Sequence, residues 1–188
     1  MRYLLDKSVV RRCLRGLLGG TLTEDVWQSL ALFATLPEAS LYISLETFHI
    51  LTHIVKVPQS QFLVDRTQVL YPVRYTRRWA RRLREMSFGR EDAYLLSLAT
   101  FSTDRIKQGR ILGVHAFLTY DERMVRQFYA RLPLIEVRFK RMTAQLDPPY
   151  CFARLPRVCT PADVLYCRYA SNASNKASAT SKRSATTP

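Results

Sequence analysis

Four acidic residues stand where alternating strands and helices would bring them to one edge. Asp6 closes the short apolar run Tyr3-Leu4-Leu5, and Glu46 opens a helical stretch just after Leu41-Tyr42-Ile43-Ser44. Asp121 follows the run Val114-His115-Ala116-Phe117-Leu118-Thr119, and Asp92 begins a further helical stretch. In open parallel sheets, sites gather at the carboxyl ends of the strands. Carboxylates brought together there repel strongly unless a cation lies between them. Hard divalent cations such as Mg²⁺ or Mn²⁺ take oxygen ligands of this kind. Taken singly, each of the four also reads as a helix cap or a surface acid. Glu91 adjoins Asp92 and competes for the same place.

The second constellation is basic: Arg74-Tyr75-Thr76-Arg77-Arg78-Trp79-Ala80-Arg81-Arg82-Leu83-Arg84. Read as a helix, Trp79, Leu83 and Met86 share one face. Arg77, Arg81 and Arg84 form one flank, and Arg78 and Arg82 the other. Guanidinium forks match phosphate oxygens bidentately. Almost no Glu interleaves at i,i+4 to neutralise them. The run reads as a nucleic-acid phosphate surface, with an acidic protein partner or a solvated helix face as the alternatives.

Other chemistry is thinner. Glu46, His49 and His53 share a helical face, but the only other histidine is His115, so a histidine metal centre lacks partners. Trp27, Leu30, Ala31 and Ala34 at helical spacing read as core or a dimer surface. Cys13, Cys151, Cys159 and Cys167 form no CxxC pair and read as ordinary reduced thiols. Asp104, within Ser102-Thr103-Asp104, reads as a helix cap. No GxGxxG, Walker A or GxSxG pattern is present.

The chain has 188 residues, 47% of them hydrophobic, and a net charge of +14 from 29 Lys+Arg against 15 Asp+Glu. That is enough for one domain with its own core. It is too apolar for a disordered chain. No run of about 18 apolar residues suits a membrane span. Asp6 and Lys7 interrupt the opening apolar run, unlike a signal peptide. A basic domain in the cytoplasm, with no membrane partner, is expected. The charge is uneven: residues 1–70 hold seven basic and six acidic residues, and residues 71–169 hold nineteen and nine. Such a basic half suits a polyanion.

Strand runs separated by helical stretches predict an α/β fold, a three-layer α/β/α sandwich around a central parallel sheet. Strands are expected at Tyr3–Leu5, Leu41–Ser44, Val69–Val73, Val114–Thr119 and Leu134–Val137. Helices are expected at Ser8–Leu18, Thr23–Thr35, Glu46–Val55, Gln59–Arg66, the Arg-rich run, Glu91–Phe101 and Glu122–Ala130. A long loop fills Ser102–Gly113. The domain spans 1–147, residues 148–169 form a loosely packed extension, and 170–188, with no large apolar residue after Tyr169, form a disordered tail.

These residues carry a resemblance. Met1-Arg2-Tyr3-Leu4-Leu5-Asp6-Lys7-Ser8-Val9-Val10 resembles the opening of PIN-domain proteins: an apolar strand, Asp, small polar residues, then an apolar helix. Ile43-Ser44-Leu45-Glu46-Thr47-Phe48 resembles their second motif, with Glu at a helix start. Glu91-Asp92-Ala93-Tyr94-Leu95-Leu96-Ser97-Leu98-Ala99 is similar to the third, and Phe117-Leu118-Thr119-Tyr120-Asp121-Glu122-Arg123 to the fourth. The order matches over roughly residues 1–138. The resemblance implies a metal-dependent ribonuclease, and many members are VapC-like toxins of toxin–antitoxin pairs. Mg²⁺ or Mn²⁺ would be held by Asp6, Glu46, Asp92 and Asp121, supported by Ser8 and Thr119. The cation would lower the pKa of an attacking water and steady the charge on the phosphodiester. RNA would lie along Arg77, Arg78, Arg81, Arg82 and Arg84. An acidic antitoxin-like protein and a second copy of the chain are the implied protein partners. The family usually has Thr or Ser after the first Asp, whereas this chain has Lys7. An ammonium there supports an alternative: a non-catalytic nucleic-acid-binding or protein-interaction module with Lys7 in the metal position.

Overall fold

The structure, a computed structural model, describes residues 1–37, 40–53 and 58–167. Strand β1 (Tyr3–Leu5) leads to α1 (Lys7–Leu17), α2 (Glu24–Thr35), β2 (Leu41–Ser44), α3 (Leu45–His53), α4 (Pro58–Asp65) and β3 (Gln68–Pro72). Then come α5 (Thr76–Glu85), α6 (Arg90–Thr100), β4 (Ser102–Asp104), β5 (Gly109–Ile111), β6 (Ala116–Leu118) and α7 (Glu122–Thr143). A 3₁₀ turn (Tyr150–Phe152) and β7 (Arg157–Cys159) follow.

The strands form one sheet in the order β5-β4-β3-β2-β1-β6-β7. The run β3-β2-β1-β6-β7 pairs in parallel, and β4 and β5 add an antiparallel edge beside β3. Strand side chains alternate between faces, and both faces are covered. Leu4, Tyr42, Leu70, Phe117 and Val158 pack with Trp79, Leu96, Phe128 and Phe139. Tyr3, Leu5, Leu41, Ile43, Leu118 and Cys159 pack with Val9, Cys13, Leu32 and Leu63. This is the expected three-layer α/β/α sandwich, with α5, α6 and α7 on one face and α1, α2, α3 and α4 on the other. The central strands are buried on both sides, which is why they read as short continuous apolar runs.

Four expectations need correction. Leu134–Val137 is not a strand but part of α7, because Phe128, Ile135, Phe139 and Met142 are buried at helical spacing. Pro133 sits inside that helix, and the apolar stripe continues across it. The segment 102–113 is a hairpin rather than an open loop. Asp104 closes its turn by accepting the backbone N–H groups of Ile106 and Lys107 at 2.9 and 3.1 Å, so it caps no helix. Residues 148–169 are not loosely packed throughout: β7 extends the sheet, and Val158 is fully buried.

A glycine lets this last segment approach. Gly113 has φ +109°, and a Cβ there would lie 2.5 Å from the Arg154 carbonyl oxygen. The end of the expected helix Glu46–Val55 and the tail 170–188 lie outside the described residues. No helix among the described residues is long and apolar enough to cross a membrane.

Candidate functional site

The chain passes from β1 outward to β2 and β3, then returns to place β6 on the other side of β1. The β1/β6 boundary is therefore the switch point at which a crevice opens beyond the carboxyl ends. Asp6 lies at the end of β1 and Asp121 three residues beyond β6. Asp6 is 9% exposed, and its backbone N–H donates to the Leu118 carbonyl at 2.9 Å. Ser8 Oγ donates to Asp6 Oδ2 at 2.5 Å, and Thr119 Oγ1 donates to the same oxygen at 2.9 Å. The backbone N–H groups of Tyr120 and Asp121 reach Ser8 Oγ and Thr119 Oγ1 at 3.3 and 3.0 Å. The two strand ends are thus stitched together around one carboxylate. Ser8 and Thr119 both meet Asp6.

Asp121 is the N-cap of α7, and its Oδ1 accepts the Met124 N–H at 3.0 Å. The loop before it is anchored by Tyr120. The Tyr120 hydroxyl donates to the Asp25 carbonyl at 2.7 Å, and Arg12 lies over its ring at 4.4 Å. Burial pushes this phenol up to about 12.

Asp92 lies in the first turn of α6. Burial, then the charges of Asp121, Glu91 and Asp6, push its carboxyl above the ordinary range, with Arg123 opposing. The fold therefore brings Asp6, Asp92 and Asp121 into one another's field. The folded chain holds the Asp92 proton to higher pH than the unfolded chain does. Stability contributed by this group is present at acid pH and lost as pH rises from the ordinary carboxylate range through the raised value. Asp92→Asn is accordingly expected to raise the melting temperature at neutral pH in EDTA. The gain should vanish at acid pH, where both side chains are neutral; an unchanged or lower neutral-pH midpoint would contradict this.

Glu46 is exposed at the start of α3. It lines a groove of about 700 Å³ with Glu91 and Tyr94 of α6 and Arg77, Arg81 and Arg84 of α5. Arg78 and Arg82 point to the opposite flank of α5, and all five arginines are exposed. Trp79 and Leu83 are buried beneath them.

Lys7 changes the balance. Its ammonium pairs with Glu91, which is the main reason its pKa is raised. The charges of Asp6 and Glu46 act in the same direction. A side-chain cation already stands among these acids, with Glu91 as its partner. The sequence hinted at both residues, but only the fold pairs them across 84 positions.

The donor chemistry suits a hard cation. Asp6 Oδ1, Asp121 Oδ2 and both oxygens of Glu46 accept no hydrogen bond among the described residues, and Asp92 is held above the ordinary carboxylate range by burial first and by the neighbouring carboxylates second. As they stand, no three acidic, histidine or cysteine side chains among the described residues are gathered closely enough to hold an ion. The histidines do not join this cluster: His115 accepts the Arg2 N–H at 2.9 Å at the opposite end of the strands, and His49 and His53 are exposed on α3. Cys13 and Cys159 are buried, which pushes their thiols up to about 12 and about 11.

Comparison with protein-family models, with curated proteins and with solved structures finds no match for this chain.

Proposed function

We propose that this protein is a metal-dependent endoribonuclease of PIN-domain type, hydrolysing RNA phosphodiester bonds. The observation that carries the reading is the pair of strand-end carboxylates Asp6 and Asp121 at the β1/β6 switch point, with Asp92 within reach of their charge, beside a groove walled by Arg77, Arg81 and Arg84. Asp6, Glu46, Asp92 and Asp121 would hold Mg²⁺ or Mn²⁺. The cation would offset their repulsion and draw the carboxylates inward. When bound, it supplies positive charge to the reacting phosphodiester and lowers the pKa of an attacking water. The protein's own groups do the rest. Ser8 and Thr119 fix one oxygen of Asp6 and leave the other free. The N-cap bond holds Asp121 in place. The arginines bind the RNA backbone and position it, where alignment accounts for much of the rate. The toxin role in a toxin–antitoxin pair, acting in the cytoplasm and restrained by an acidic partner, extends the same reading, as does homodimer formation.

The Lys7–Glu91 pair favours a second reading: a non-catalytic RNA-binding module in which the ammonium takes the cation's place. Incubation of a mixed structured-RNA pool with purified protein in Mn²⁺, in Mg²⁺ and in EDTA separates the two. Cleavage with either metal and none in EDTA is expected. RNA binding without cleavage under any metal would overturn the nuclease reading in favour of the second.

A further inference from the structure

Helix α5 has a groove on each flank. On one side lies the groove shared with α3 and α6, adjoining the carboxylates. On the other lies a groove of about 310 Å³ shared with α7, lined by Arg78 and Arg82 of α5 and Arg138 and Arg141 of α7. Among the described residues, Glu85 is the only acid on its wall. It accepts from Arg82 and Arg138, both at 3.2 Å, and so ties α5 to α7. Arg78 and Arg141 pair with no carboxylate among the described residues. Four guanidinium groups against one carboxylate leave a strong positive field that the described residues do not neutralise.

We infer that the nucleic acid bound along α5 is base-paired there, with one strand's phosphates in the α5/α6 groove and the other strand's in the α5/α7 groove. This rests on the ribonuclease reading above and adds the substrate's shape. An α-helix with its side chains is about 10–12 Å across. A single backbone following one groove leaves the cations of the opposite flank unused. The two backbones of a duplex run on either side of a groove, so a convex helix laid into that groove meets phosphates on both flanks. The exposed ridge of α5 carries almost only arginine, which suits phosphate and shape contacts; double-stranded RNA is recognised largely in this way. The cleaved bond then lies on the strand in the carboxylate-side groove, next to a stem.

The test uses the full chain in EDTA, so that binding is read without cleavage. A short RNA hairpin and an unpaired strand of the same composition are the probes. The wild type is expected to bind the hairpin more tightly. Arg138→Ala/Arg141→Ala should weaken hairpin binding at least about tenfold. It should also reduce the slope of log affinity against log salt by about 1.8, at about 0.9 for each phosphate no longer neutralised. Binding of the unpaired strand should change by less than about twofold, because it lies along the other flank. Arg141 is exposed, and Arg138 is half-buried in its surface pair with Glu85, so a fall in stability of no more than about 1 kcal/mol is expected, and the melting temperature is measured alongside. Arg105→Ala/Arg110→Ala, which removes the same charge from the β4–β5 hairpin, should leave RNA-hairpin affinity nearly intact. Equal weakening of both RNAs, weakening of neither, or equal weakening by the two double variants would overturn the inference while leaving the ribonuclease reading standing. Failure of the wild type to bind either RNA would overturn both.

Discussion

Asp6→Asn is expected to lower metal-dependent RNA cleavage by at least about a hundredfold and to leave the chain folded. Groups that merely hydrogen-bond a metal ligand cost about 10–100-fold when mutated, and a ligand itself is expected to cost no less. Folding should survive because the amide oxygen of Asn can still accept from Ser8 and Thr119, the two hydroxyls that now bond Asp6 Oδ2. What Asn removes is the charge, and with it the ability to hold a cation. The variant should also lower the raised pKa of Asp92, since Asp6 is one of the charges that raise it. Cleavage rate in Mn²⁺ and thermal unfolding are the two measurements. Near-wild-type cleavage by a folded variant would remove Asp6 from the chemistry, and with it the four-carboxylate site.

Trp79→Ala is expected to destabilise the fold more than any other substitution considered. Trp79 is fully buried under the arginine-bearing face of α5, with its ring 5.3 Å from that of Phe139 on α7. Truncating a buried Trp costs about 3–5 kcal/mol through reduced burial and the cavity left behind. For a chain of this size each kcal/mol moves the melting temperature by roughly 2–4 °C, so a fall of roughly 6–20 °C is expected. Trp79→Phe should recover part of it. The consequence for function follows from position. The same ring holds α5 against α7, so loosening it should disturb both arginine-lined grooves and weaken RNA binding more than nuclease chemistry. A loss below about 1 kcal/mol would mean that α5 is anchored elsewhere.

The alternation that builds the sheet was legible along the chain. Tyr3–Leu5 and Leu41–Ser44 are too short for buried helices, and in each case a polar residue, Asp6 or Ser44, immediately precedes the next helix. The amphipathic α5 was equally plain, because Trp79, Leu83 and Met86 repeat at helical spacing among arginines; all three are buried. The end of α7 was not legible in the same way. Leu134-Ile135-Glu136-Val137 follows Pro133 and is locally strand-like, and helix there depends on what Ile135, Phe139 and Met142 bury against. The stripe Phe128, Ile135, Phe139, Met142 was the available signal, and it would also have placed Arg138 and Arg141 on one helix. β7 was hidden for a related reason: three residues carry little periodicity, and Arg157–Cys159 becomes a strand only because β6 offers an unpaired edge.

Local rules along the chain suffice for the acids at the strand and helix starts, for the arginine-rich helix with its two flanks, and for the layered α/β class. Residue spacing sets which side chains share a face, and no distant partner is needed. Which charges meet is a different matter, settled by the packing of the folded molecule. Packing put the hydroxyls of Ser8 and Thr119 on one oxygen of Asp6, paired Lys7 with Glu91, and set Glu46 on the wall of the arginine-lined groove. It also brought Arg138 and Arg141 across to Arg78 and Arg82. Such pairings depend on strand order and helix packing between residues tens of positions apart, and electrostatic interaction falls off with distance in space, not with separation along the chain.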